Sequence, residues 1–286
     1  MRTERVPHAG TTLDVIVSGE VRGARPVVLF ANAVGMENEL VAGLAKALDA
    51  LDVTLVSWEL RGSPGPSVTP MVSLREHTED AVAIADALGL ARVHVAGWCT
   101  GASVALFAAL RMEDRAMSYT SVDGAFLFSG TPGARLGNAV FDMCADIAEA
   151  PGRAARFLDV VRPRGNEAEV LGVPDAEFTR MLTQPYRHGV EELTRFALGI
   201  RATNDYDPAE AFAGLQAPAL FLAREDDQMV GHRNSREAAG RVAGAQIVVE
   251  PVGGHYALFT DPARSARTIA AFVHGVPVPP DLDVVR

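Results

Sequence analysis

The chain has 286 residues, with 26 Lys+Arg against 36 Asp+Glu, a formal net charge of −10, and 48% hydrophobic residues. That balance describes a folded globular protein of one sizeable core and excludes a disordered one. The acidic excess disfavours nucleic acid and anionic membrane surfaces, whose phosphates repel it.

No apolar run reaches the ~18 residues that mark a membrane span. Met1-Arg2-Thr3-Glu4-Arg5 has no apolar segment behind its charges, so no secretion signal is expected. A cytoplasmic protein is the expectation, with Cys99 and Cys144 as reduced thiols. No CxxC, HExxH or carboxylate-rich loop is present, so neither a metal nor another cofactor is expected.

In chain order, short β-rich runs alternate with longer amphipathic runs, the pattern of βαβ units around a mostly parallel sheet. Leu13–Val17 reads as a first clear strand and Val27–Ala31 as a second, apolar on both faces. Glu39–Ala50 reads as a helix, with Leu40, Leu44, Ala47 and Leu48 on one side. Val53–Trp58 is a strand and Arg61–Pro66 a loop. Ser73–Leu88 is a helix with a Ser cap, Glu76 three residues on, and Gly89 to end it.

Arg92–Ala96 follows as a strand, Gly101–Met112 as a helix and Ala125–Phe128 as another buried strand. From residue 133 to 208 the runs are helical, broken by Pro151, Pro163, Pro174 and Pro185, without a convincing strand. This stretch is expected to be an inserted helical cap, leaving 1–132 and 209–286 as the core. Alternation then resumes: strand Ala219–Ala223, helix Asn234–Val242, strand Gln246–Glu250, helix Pro262–Val273. The tail from Gly275, with Pro277, Pro279 and Pro280, is expected to be extended and poorly packed.

The segment with chemical content is Val93-His94-Val95-Ala96-Gly97-Trp98-Cys99-Thr100-Gly101-Ala102-Ser103. A strand runs into Gly-x-Cys-x-Gly and then a helix, which is the nucleophile-elbow pattern with Cys in place of Ser. The glycines answer a steric need. Strand and helix meet so tightly that the nucleophile takes a strained backbone conformation, and its neighbours must lack side chains. The result aims Cys99 off the carboxyl edge of the sheet, at the positive end of a helix that favours a thiolate.

With a downstream Asp loop and a Gly-Gly-His loop in order, the chain resembles the α/β-hydrolase superfamily over nearly its whole length. The resemblance implies an α/β fold with a mostly parallel sheet flanked by helices. It also implies the order nucleophile, acid, histidine. Arg224-Glu225-Asp226-Asp227-Gln228-Met229-Val230 supplies the acid: the family's spacing to Val230 selects Asp227, with Asp226 as competitor. Val252-Gly253-Gly254-His255-Tyr256 supplies His255. An alternative acid position after Phe128 offers only Ser129-Gly130-Thr131.

The implied roles are Cys99 as nucleophile, His255 as proton carrier and Asp227 as its orienting partner. The oxyanion donors would be the N–H groups of Thr100 and Ala33. Where the family usually shows His-Gly-x, this chain has Ala31-Asn32-Ala33-Val34-Gly35. Trp98, Met36, Tyr186 and Tyr256 are candidate pocket residues. Glu59-Leu60-Arg61-Gly62 reads as structural. His94 is taken as a core residue, His77 as surface, His232 as a possible rival for Asp227, and Cys144 as packing.

Such a site supports acyl transfer through a Cys99 thioester: a thioesterase, esterase or acyltransferase on a small-molecule acyl ester or thioester. The acyl group could arrive on coenzyme A or on a carrier protein, and Arg153, Arg156, Arg162 and Arg164 could form a local basic patch for the latter. The competing expectation is a non-covalent lyase-like enzyme, or a ligand-binding protein that has lost hydrolysis. The unusual Ala31–Gly35 loop motivates it.

Overall fold

The computed structural model describes residues 1–63, 73–129, 135–161, 173, 176–277 and 284–285. The strands are β1 (Arg2–His8), β2 (Thr11–Val17), β3 (Val27–Ala31), β4 (Thr54–Trp58), β5 (Val93–Trp98), β6 (Ala116–Val122), β7 (Ala219–Arg224), β8 (Gln246–Glu250) and β9 (Val284–Val285). They form one sheet in the order β1-β2-β4-β3-β5-β6-β7-β8-β9. From β4 through β8 every neighbouring pair is parallel, and antiparallel pairs close both edges.

The middle strands are buried on both faces, so their side chains alternate between two cores. Leu29 and Ala31 of β3 join the core shared with helices 74–87 and 101–112. Val28 and Phe30 join the core shared with helices 42–49 and 262–273. Helix 74–87 starts where the sequence places it, and Ser73 Oγ accepts the Glu76 N–H at 3.3 Å. The α/β-hydrolase fold read from the sequence is therefore the observed one, and several local readings need correction.

The expected strand 125–128 does not exist. The strand in that position is β6, ending at Val122, and its polar run Ser118-Tyr119-Thr120-Ser121 concealed it. All four are buried, and two of them have side-chain partners: Ser118 Oγ pairs with His94 Nδ1 at 2.8 Å, and Tyr119 OH donates to the Ala102 carbonyl at 3.0 Å. Phe126 and Phe128 pack around Phe212 from irregular backbone instead. β1 was not foreseen; it is an edge strand with exposed charges at Arg2 and Arg5 and a half-buried Glu4, and its burial pattern is too weak to read as a core strand. Within the tail, Val284–Val285 pairs with β8, which was not foreseen, and residues 278–283 lie outside the described residues.

His77 is fully buried, not on the surface. Burial first, and the Arg61 charge second, lower its pKa to about 3, so it is neutral. Between β6 and β7 the described chain is helical, with helices at 135–149, 154–161, 176–182, 190–202 and 208–213, and no strand among the described residues. The stretches 64–72, 130–134 and 162–172 lie outside the described residues, so part of the expected loop and Pro163, Arg162 and Arg164 do too. No helix among the described residues is long and apolar enough to cross a membrane.

The Glu59–Gly62 segment is structural in a specific way. Arg61 reaches the buried Asp80 of helix 74–87 with two hydrogen bonds, at 2.6 and 2.7 Å, and so ties the end of β4 to that helix. Removing one member of such a pair strands a buried charge. Arg61→Ala should lower stability by about 3–5 kcal/mol in urea unfolding; a loss under about 1 kcal/mol would show that the pair is dispensable.

Candidate active site

The site stands at the carboxyl edge of the parallel strands, where α/β sheets place their ligands. Cys99 follows β5, Asp227 lies in the turn after β7, and His255 in the loop after β8. Cys99 has φ of 53°, the left-handed region that costs a non-glycine residue energy. The reason is closeness. A Cβ on Gly97 would stand 2.3 Å from the Gly101 carbonyl oxygen, and one on Gly101 would stand 2.2 Å from that of Ala31. Both contacts are impossible, so only glycine fits on either side of the nucleophile. The Cys99 N–H donates to the Val122 carbonyl at 3.1 Å, which holds the turn against β6.

His255 Nδ1 and Asp227 Oδ2 are 2.9 Å apart and both are buried. Asp227 Oδ1 accepts the Met229 and Val230 N–H groups at 2.7 and 3.0 Å, which fixes the carboxylate plane. Burial works against charge on both residues. Their mutual attraction, their hydrogen bond and the Asp227 backbone bonds outweigh it, so Asp227 is held below the usual carboxylate range. His255 is raised well above the ordinary histidine value, with Cys99 adding charge attraction and a side-chain hydrogen bond. The structure thus joins His255 and Asp227 by a hydrogen bond, with the Cys99 thiol near enough for its charge to act on the imidazole.

Asp226 stands elsewhere. Its Oδ2 and Oδ1 accept the N–H groups of Gly253 and Gly254 at 3.0 and 2.8 Å. Adjacent carboxylates therefore do separate jobs, one holding the histidine ring and the other the histidine loop. His232 begins helix 232–239, and Asp227 bonds His255 instead.

Trp98 is not a pocket wall. It is 2% exposed, its Nε1–H donates to the His255 carbonyl at 3.1 Å, and its ring centroid lies 4.9 Å from the imidazole. It positions His255 from below. Tyr256 packs edge-on to His255, with centroids 5.2 Å apart. Tyr186 packs on Phe196, and Met36 is buried in the core under β3 and β5. Burial pushes the Tyr186 hydroxyl well above its ordinary value. Cys144 is buried, and burial raises its thiol to about 12, which leaves it inert.

The oxyanion loop differs from the expectation. The Ala33 N–H donates to Asn32 Oδ1 at 2.9 Å, so the resting donor is engaged by its own neighbour. Asn32 is buried, and its Nδ2 donates to the Glu37 carbonyl at 3.2 Å. The next N–H, of Val34, donates to Thr100 Oγ1 at 3.0 Å, which pins this loop to the elbow. Among the described residues nothing accepts from the Thr100 N–H, which sits at the start of helix 101–112.

Sequence reasoning missed Asn32, and it missed Asp123 and Arg224. Asp123 follows β6 directly, in the position that was sought after Phe128. A carboxylate next to an apolar Val122 at a strand end was the available signal, hidden by the misplaced strand.

The pair gives a pH signature. His255, raised, contributes stability that is full below its unfolded value and lost as pH rises through its folded one. Asp227, lowered, contributes stability that is full above its unfolded value and lost as pH falls. The stabilisation therefore peaks between about pH 4 and 6.5, the two unfolded values. Asp227→Asn should flatten that window in urea unfolding measured from pH 3 to 9; an unchanged profile would show the pair to be uncoupled from folding.

A family model described as "Alpha/beta hydrolase family" matches residues 28–268. The chain is 26% identical over 271 residues to "Putative carbamate hydrolase RutD" of Caulobacter vibrioides (strain NA1000 / CB15N), covering 90% of this chain and 93% of that protein. Among solved structures, the enol-lactonase from Burkholderia xenovorans LB400 aligns with a TM-score of 0.74 at 24% identity, over 95% of this chain and 100% of that one. The esterase from Exiguobacterium antarcticum aligns with a TM-score of 0.72 at 15% identity, over 94% and 98%. The span matched by the family model runs from β3 into helix 262–273 and contains Cys99, Asp227 and His255, so this chain belongs to the alpha/beta hydrolase family.

Proposed function

We propose that the protein is an acyl-transfer enzyme that works through a Cys99 thioester on a small-molecule ester or thioester. The observation that carries this reading is the Cys99–His255–Asp227 line, built on a strained elbow at the mouth of a helix. In the first half-reaction Cys99 Sγ bonds to the acyl carbon and its proton passes to His255. The bond to the leaving group then breaks, and the leaving group takes the proton from His255. In the second half-reaction water attacks the thioester and gives its proton to His255. The Cys99 bond breaks, the acid leaves, and the proton returns to the thiolate. A different acceptor in place of water makes the same cycle a transferase.

The Thr100 N–H supports the developing oxyanion as the first donor. The Ala33 N–H joins it once the Asn32 side chain lets go. The names of the relatives, a carbamate hydrolase, an enol-lactonase and esterases, agree with attack on an acyl carbon bearing a heteroatom. Residues 133–208 would act as the cap that selects the acyl group. Gly35 lying against Pro185 and Phe196, and Gln184 Nε2 donating to Glu37 Oε1 at 3.1 Å, support their seating on the oxyanion loop. Tyr186 and Tyr256 are the side chains we place against the acyl group.

A second reading follows from Asn32 alone. An oxyanion donor engaged at rest suits a non-covalent lyase-like enzyme, or a binding protein, that uses His255 without a thioester.

Intact-protein mass spectrometry separates the two. After mixing with short acyl thioesters, activated esters and lactones, the wild type should gain an acyl mass that Cys99→Ala does not. Turnover should fall by at least about a thousandfold in Cys99→Ala. Undiminished turnover in that variant would refute the covalent mechanism.

A further inference from the structure

The loop that carries the second oxyanion donor is held at its two ends by different parts of the molecule. Residues 33–36 form a tight turn, closed by the Met36 N–H donating to the Ala33 carbonyl at 3.2 Å, with Gly35 at φ of 79°. The near end is pinned to the elbow, because the Val34 N–H donates to Thr100 Oγ1 at 3.0 Å. The far end is Glu37. Its carbonyl accepts from Asn32 Nδ2 and from the Leu40 N–H, each at 3.2 Å. Its side-chain Oε1 accepts from Gln184 Nε2 at 3.1 Å.

The buried Asn32 amide therefore bridges the two ends of the loop. Only one orientation satisfies both partners: Oδ1 faces the Ala33 N–H at 2.9 Å, and Nδ2 faces the Glu37 carbonyl. A shift of the far end against the pinned near end breaks this bridge, and Oδ1 then loses the brace that keeps it over Ala33.

What holds the far end is the short helical turn Gln184–Tyr186. Gln184 is 6% exposed, and its Oε1 is in hydrogen-bond contact with His188 Nε2, so its amide is committed at both atoms. Close packing seats the same segment on the loop. A Cβ on Gly35 would stand 2.8 Å from both Pro185 Cγ and Phe196 Cδ2, and one on Gly199 would stand 2.5 Å from Val34 Cγ1. The turn that grips Glu37 also carries Tyr186, the side chain placed against the acyl group.

We propose that Gln184 is a positioning residue for the oxyanion hole: through Glu37 and Asn32 it keeps the Ala33 N–H occupied at rest, and an acyl group seated against Tyr186 shifts the turn and frees that N–H. This deepens the acyl-transfer reading above and rests on it. The acyl group drives the change by contacting the released arrangement better than the resting one.

Amide hydrogen exchange at Ala33 and Val34, followed by NMR in the full chain without substrate, tests the proposal. Gln184→Leu removes the bond to Glu37, and Ala33 exchange should quicken about two- to tenfold, the worth of one such bond. Val34 exchange should hold, because its bond to Thr100 is untouched. Glu37→Ala should act like Gln184→Leu and replaces it if that variant does not fold. Glu37→Gln keeps an acceptor for Gln184 and should restore the slow exchange. Acetylation of Cys99 by p-nitrophenyl acetate, read as intact mass, should quicken in Gln184→Leu by a similar factor, since more molecules have the donor free. Unchanged Ala33 exchange, or an equal rise at Val34 that signals plain loosening of the loop, would overturn the proposal. Acetylation that does not quicken would overturn it too. If wild-type Cys99 takes no acetyl group at all, the thioester reading fails instead, and the exchange rates still decide whether Gln184 holds the Ala33 N–H.

Discussion

Strand β5 lies so close to the helix after it, and that helix so close to the end of β3, that no side chain fits at Gly97 or Gly101. That contact sets the rest of the site. It forces Cys99 into the left-handed region and lifts its thiol off the sheet edge. It also brings residues 31 and 32 against the start of helix 101–112, so the loop after β3 lies beside the nucleophile. The Val34 N–H bond to Thr100 Oγ1 fixes that arrangement in a buried setting, where water does not compete for it.

Around this fixed point the protein keeps an unusual amount of charge out of water. Asp227, His255, Asp123, Arg224 and Glu250 are all buried at the carboxyl ends of neighbouring strands. Buried charges survive only when paired and hydrogen-bonded, and here they are arranged so that each serves a neighbour. Asp227 spends one oxygen on the imidazole and the other on two backbone N–H groups. Asp226 holds the glycine amides that deliver His255, and Trp98 supports the ring and the carbonyl of the same residue. The histidine is thus held from three directions, which is the preorganisation that proton transfer requires. Fold alone carries no reaction; these contacts, with cysteine at the elbow, are what direct the proposal toward acyl chemistry.

Much of this was legible in the chain because it depends on short spacings. The two glycines two residues either side of Cys99 announce a tight turn. The apolar runs of β3, β4, β7 and β8 announce buried parallel strands. The Ser73 and Glu76 pair announces a helix start. Where a strand carried hydroxyls, as β6 does, periodicity failed. The hydroxyls of Ser118 and Tyr119 are satisfied by His94 and Ala102, which are remote in sequence. The same failure hid Asp123, because a residue's place at a strand end is readable only when the strand is.

What the sequence determined by itself was therefore local: the elbow, the strand and helix order, and the loops that carry acid and histidine. The choice between Asp226 and Asp227, the burial of His77, the task of Trp98 and the engagement of the Ala33 N–H were decided by tertiary structure. Each depends on the distance and direction between groups far apart in the chain. Hydrogen bonds and ion pairs change character within an ångström or two, and no spacing along the sequence encodes that.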